Sequence, residues 1–180
     1  MRQADPRFIR TQQALRAALF VLLKTQAVGD ITVTALCKQA QINRRTFYLH
    51  YDNVWALFTE YEAELGRQLG HVLAGAAASP ETLVGTFNRI FEANLAGFTY
   101  ICRYRRQDVL LLDMAKMLTT ALLTRSPQPS PHQRMRAQYV ANGVIALYVE
   151  WLNTPQAPPF AELSDVVLEM VRRDWGMLNG

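Results

Sequence analysis

Two helical stretches, residues 32–40 and 43–51, lie so close together that they restrict the fold more than any other feature of this 180-residue chain. Thr32 and Asn43 are good N-caps, because each side-chain oxygen can accept an amide hydrogen left unsatisfied at a helix start. Gln41 and Ile42 alone separate the stretches. So short a connection cannot lay the second helix antiparallel along the first, so the pair must cross steeply and bury its apolar residues against a third helix. That is the geometry of a helix-turn-helix. Leu36 and Ala40 are its expected inward residues, and Phe47 and Tyr51, four apart, share a face that completes a small core. Arg44, Arg45, Tyr48 and Leu49 then point elsewhere.

Upstream, Asp5 followed by Pro6 suits a helix start, Leu15, Leu19, Leu22 and Leu23 form one stripe, and Gly29 is the expected stop. From Asn53 a long helix carries Trp55, Leu57, Phe58, Tyr61 and Leu65 toward Leu69. Further helices are expected at about 80–98, 107–125, 132–153 and 160–177, with proline-rich breaks at 126–131 and 154–159. Apolar residues recur at helical spacing nearly throughout, and no segment of length alternates as a strand does. The fold class is therefore all-α, about nine helices. An N-terminal three-helix, homeodomain-like helix-turn-helix domain is expected over residues 1–52 and a helical bundle over residues 53–180.

Residues 1–50 hold eight Lys/Arg against two Asp/Glu, leaving eleven against thirteen for the rest of a chain whose net charge is only +4. Such asymmetry suits a polyanion-binding end joined to a near-neutral body, since neutralising phosphates supplies most non-specific affinity for nucleic acid. Charge alone leaves a plain solvated basic face equally open. Cys37 and Cys102 sit far apart in apolar helical contexts without metal-ligand spacing, so buried free thiols are expected and no metal. The N-terminus lacks the apolar run of a signal peptide, and the later apolar stretches are interrupted by Asp113, Lys116 and Glu150. A reducing cytoplasm is the expected location. No nucleophile elbow, phosphate-binding loop or zinc-protease motif occurs, so neither an enzyme nor a cofactor is indicated.

The run Ile31-Thr32-Val33 through Ala40, followed by Gln41-Ile42-Asn43-Arg44-Arg45-Thr46-Phe47-Tyr48-Leu49-His50-Tyr51, resembles the DNA-binding domain of TetR-family transcriptional regulators, with a likeness extending over residues 8–58. The resemblance implies that Thr46, Tyr48 and His50 touch the DNA backbone or adjacent bases, that Thr34 sits near a base edge and Thr32 near phosphate. From the residues themselves, Arg44 or Arg45 can make the two-pronged contact to guanine O6 and N7, and Leu49 can meet a thymine methyl. The first turn of that helix adds amides and a partial positive charge. The bland readings stay beside these: Thr46 satisfying the turn, Tyr48 as packing, His50 as surface and the arginines as solvated charge. Three positions depart from the family pattern. Gln41 replaces a Gly and so needs a left-handed or turn conformation, Asn43 replaces a Ser, and Val54 replaces a Lys, which should remove one phosphate contact.

In the body, the run from Gly143 to Leu152 resembles the Gly-to-Trp helix of one C-terminal branch of that family, often found in Gram-positive species. Val140, Val144, Leu147 and Trp151 share one face. Tyr139, Gly143 and Ala146 make a flatter one that lets another backbone approach. With the last helix's stripe of Leu163, Val166, Val167, Met170 and Val171, this points to a four-helix dimer interface, unless both stripes belong to the monomer core. Phe87, Phe91, Phe98, Tyr100, Tyr104, Met114 and Met117 can line an effector pocket or serve as ordinary core. Arg103, Arg105 and Arg106 can receive an acidic effector or form a solvated helix end. The resulting expectation is a homodimer that binds palindromic double-stranded operator DNA and is released or modulated by a small-molecule effector, with repression the family's usual outcome. A protein co-regulator docking on the body and a helical protein-interaction adaptor are the alternatives.

Overall fold

Leu15, Leu19, Leu36, Phe47, Leu57 and Phe58 are fully buried, one or two from each of the first four α-helices. They are the centre of the first of two compact units into which the computed structural model divides, residues up to Leu65 and from Gly66 onward. The structure describes residues 6–76, 78–104 and 108–179. Among these are nine α-helices and no strand.

In the first unit α1 spans Pro6–Leu22, α2 Val33–Ala40 and α3 Arg44–Tyr48, and α4, Val54–Ala76, begins in it. Asp5, expected to open α1, lies outside the described residues. The helix stops at Leu22, ahead of the expected stop at Gly29, which instead lies in a single 3-10 turn over Val28–Asp30. Thr32 caps α2, its hydroxyl accepting from the Ala35 amide at 3.1 Å. Asn43 caps α3, its Oδ1 accepting from the Arg45 amide at 2.8 Å. Between them Gln41 takes the left-handed conformation the tight turn demands, φ 56° and ψ 38°. The boundary expected between residues 52 and 53 falls inside this unit, because the opening turns of α4 supply Leu57, Phe58 and Tyr61 to its core.

The second unit holds α5 (Pro80–Ala93), α6 (Leu95–Tyr104), α7 (Asp108–Leu122), α8 (Pro131–Asn153) and α9 (Phe160–Asn179). Ser79 and Pro80 open α5, and Ser130, Pro131 and Gln133 open α8 with a reciprocal capping box. A single helix over residues 80–98 is not what forms. Asn94 interrupts it, its side-chain amide donating to the Ile90 carbonyl at 2.9 Å, the local competition that makes Asn a poor helix-interior residue. α8 packs against α6, α7 and α9, and α9 also packs on α5. Where they meet, the Phe91 ring stacks on Phe98 at 5.0 Å and on Phe160 at 5.7 Å. One polar thread crosses this aromatic core: the Tyr148 hydroxyl donates to Asn88, whose amide donates to Ser164 Oγ at 2.7 Å. A buried polar group without such a partner costs about 1–3 kcal/mol.

Candidate nucleic-acid interface

The second helix of the pair, α3, is only five residues long, yet it is held firmly at its base. Phe47 is fully buried, and its ring lies 5.7 Å from that of Tyr51, which is itself buried at the end of the motif. The amides of His50 and Tyr51 both donate to the Phe47 carbonyl at 3.0 Å, which closes the turn after the helix. Burial pushes the Tyr51 phenol up to about 12, and the neighbouring Glu60 carboxylate acts in the same direction. The phenol is therefore neutral wherever the unit is folded at ordinary pH. Glu60, from α4, accepts from Gln12 of α1 and pairs with Arg16 of α1 at 3.3 Å. Arg16 also lies 5.8 Å from the centre of the buried Tyr61 ring.

With its inner side so occupied, α3 presents the residues between. Arg44 and Arg45 are exposed, Tyr48 is 50% exposed and Leu49 72% exposed, while Thr46 is half-buried. Large side chains left in water on a short, well-anchored helix are what a groove-reading element requires. The Arg44 guanidinium is not loose: Nη2 donates to the Tyr48 hydroxyl at 3.4 Å. His50 is exposed, but its ring lies 4.7 Å from that of Phe8 on α1, so it packs as well as facing solvent. Thr32 and Thr34 are exposed at the start of α2, and the Thr32 oxygen is already used as the cap. The structure thus brings Thr32, Thr34, Arg44, Arg45, Thr46, Tyr48, Leu49 and His50 onto one unit without burying any of them. Val54 is different. It is 4% exposed, so this position faces the unit's own core and not an approaching phosphate.

Of the residues expected to line an effector pocket, Phe87, Phe91, Phe98 and Met114 are buried, Met117 is half-buried, and the Tyr104 side chain lies outside the described residues. The apolar gap bordered by Leu83, Phe87, Leu118, Val144 and Val171 measures about 10 Å³. That is at the lower limit for one water, whereas small-molecule pockets hold roughly 300–1,000 Å³. Arg105 and Arg106, and the side chain of Arg103, also lie outside the described residues. Among those described, no three His, Cys, Asp or Glu side chains gather as metal ligands. Cys37 and Cys102 are buried thiols outside any disulfide, and burial pushes the Cys102 thiol up to about 11.

The expected dimer stripes divide. Val167 and Val171 are each 1% exposed, turned inward against α5 and α8 of their own chain. Met170 is half-buried, and a Cβ built on Gly143 would sit 3.9 Å from the Met170 methyl group of the same chain. Tyr139, 71% exposed, and Ala146 do face outward, as do Met135 on α8 and Val166 and Met177 on α9. Sequence reading named Val166 in the expected interface stripe but missed the exposure of Met135 and Met177, as well as the Arg16–Glu60 pair and the Arg44–Tyr48 contact. Only the last had a local signal, a spacing of one helical turn.

No family model matches the chain. A curated relative, an uncharacterised HTH-type transcriptional regulator (YxbF) of Bacillus subtilis strain 168, is 25% identical over 165 residues, 88% of this chain but 43% of that protein. The chain therefore spans less than half the length of this relative. Among solved structures, the dihydroxyacetone kinase operon activator DhaS superposes with a TM-score of 0.71 at 15% identity, covering 94% of this chain and 98% of that one. A TetR-family regulator from Streptomyces coelicolor A3 gives 0.61 at 16% identity and 98% coverage of both chains. The TetR-family repressor AlkX from Dietzia sp., implicated in n-alkane biodegradation, gives 0.56 at 14%, covering 94% and 97%.

Proposed function

We propose that this chain, which has the fold of TetR-family transcriptional regulators, binds double-stranded operator DNA as a homodimer through α2 and α3 and acts without catalysis. The observation that carries the reading is the solvent face of α3. Arg44, Arg45 and Tyr48 are exposed there, with Leu49 exposed just past its end, on a helix anchored by buried Phe47 within the segment that holds the chain's basic excess. A dimer would set two such helices about one DNA turn apart, roughly 34–36 Å, and so read a palindrome. Binding over a promoter excludes polymerase, which makes repression the direct outcome.

Selection from a random duplex library is the test. A palindromic sequence should be enriched, and Arg44→Ala or Arg45→Ala should cost about 1–3 kcal/mol per half-site while relaxing preference at one position. Equal weakening on enriched and unrelated duplex would make that arginine a phosphate clamp. No enrichment at all would sink the reading.

For control of binding, a second reading replaces the small-molecule effector by a protein partner and rests on exposed apolar side chains of the second unit. A protein co-regulator docks on the body away from the dimer face, where Leu95 and Leu112 are exposed. Release from the selected duplex by a protein-free metabolite extract would argue for the small molecule instead.

A further inference from the structure

Arg44 and Tyr48 stand one turn apart on α3, so their side chains share a face. Arg44 Nη2 donates to the Tyr48 hydroxyl at 3.4 Å, and its guanidinium carbon lies 5.9 Å from the Tyr48 ring centre. A cation at that range is drawn to the negative face of the ring. The tyrosine is itself located by the core: its ring meets that of fully buried Phe47 edge-on, centroids 5.5 Å apart at 83°. An exposed arginine is thus referenced to the hydrophobic core through one aromatic ring. Free arginine side chains surrender much rotamer entropy when they bind, and one already held surrenders less. The Tyr48 oxygen that accepts from Arg44 still carries a hydrogen to donate.

We propose that Tyr48 is a positioning residue that sets the Arg44 guanidinium for base readout, rather than an independent contact to the DNA backbone. The inference rests on the DNA-binding reading above. It predicts coupling between positions 44 and 48 and none between 45 and 48.

The experiment uses the full chain, a duplex enriched by the wild-type protein from a random library, and one unrelated duplex. Arg44→Ala should lose about tenfold per half-site, so about a hundredfold for the dimer on the palindromic enriched duplex, the scale of one base-reading arginine in each subunit. Tyr48→Leu should lose several-fold and relax the same base position, and Tyr48→Phe, which keeps the ring but not the hydroxyl, should fall between it and wild type. In the Arg44→Ala background Tyr48→Leu should cost nothing further, whereas with Arg45→Ala the two losses should multiply. Losses at 44 and 48 that multiply, or a Tyr48→Leu loss equal on both duplexes, would overturn the proposal. Should Tyr48→Leu unfold, Tyr48→Phe alone and with Arg44→Ala completes the same cycle. A wild-type protein that enriches no duplex defeats the DNA-binding reading itself, a result separate from a competent binder whose variants are additive.

Discussion

Gln41 carries the turn on which the helix pair depends, and it is the non-glycine residue with positive φ among those described, at 56°. Its side chain is exposed, so nothing in the packing offsets the steric cost of a Cβ in the left-handed region, about 1–2 kcal/mol. Gly would relieve that cost but lose about 0.5–1 kcal/mol to its freer unfolded chain. Gln41→Gly should therefore stabilise the protein by a few tenths to about 1 kcal/mol, read as a rise in Tm. A clear fall in Tm would show that the Gln41 side chain contributes a contact of its own. A left-handed or turn conformation here was legible because Gln41 stands where the family this chain resembles has Gly. His50 was not legible: sequence leaves it between DNA and solvent, and only the fold puts Phe8 against its ring.

At the scale of an element, the start of α4 shows why a family pattern transfers unevenly. Lys is usual at position 54 in the family this chain resembles, yet here Val54 is buried, with Asn53 capping the helix just before it. A lysine would have to thread its stem outward and hold its charge beside a positive helix end. Val54→Lys should thus destabilise the first unit by roughly 1–3 kcal/mol in denaturant unfolding. Unchanged stability with a steeper salt dependence of duplex binding would restore the phosphate-contact reading. Thr32 and Asn43 were readable as caps because each announces its helix through residues within three positions, whereas the equally local Ser130 box was passed over inside the proline-rich break. The break at Asn94 escaped because the apolar period runs on across it.

For the molecule as a whole, the proposed homodimer needs outward residues, and Met135, Tyr139 and Ala146 on α8 and Val166 and Met177 on α9 are exposed. Tyr139→Glu combined with Ala146→Glu should give monomers by sedimentation, with helical content retained. Operator affinity should drop by far more than tenfold, since the second half-site loses its high effective concentration. An unchanged sedimentation mass would place the interface elsewhere. Gly143→Trp is a poorer probe, because a Cβ at this position would already touch Met170 of the same chain at 3.9 Å, so the variant would report on packing within the chain as well.

Local chemistry in the sequence was enough to determine helix type, most helix starts, the tight turn and the outward direction of Arg44, Arg45, Tyr48 and Leu49. Each follows from periodicity and capping over a few residues. Tertiary structure decided everything that joins residues far apart in the chain. Glu60 meets Gln12 and Arg16, and Tyr148 reaches Asn88 and through it Ser164. It also decided which apolar stripe of α9 is core, turning Val167 and Val171 inward and leaving Val166 in water. An amphipathic period says that a helix has an apolar face, but which neighbour covers that face depends on how the other helices pack, and no local pattern encodes that.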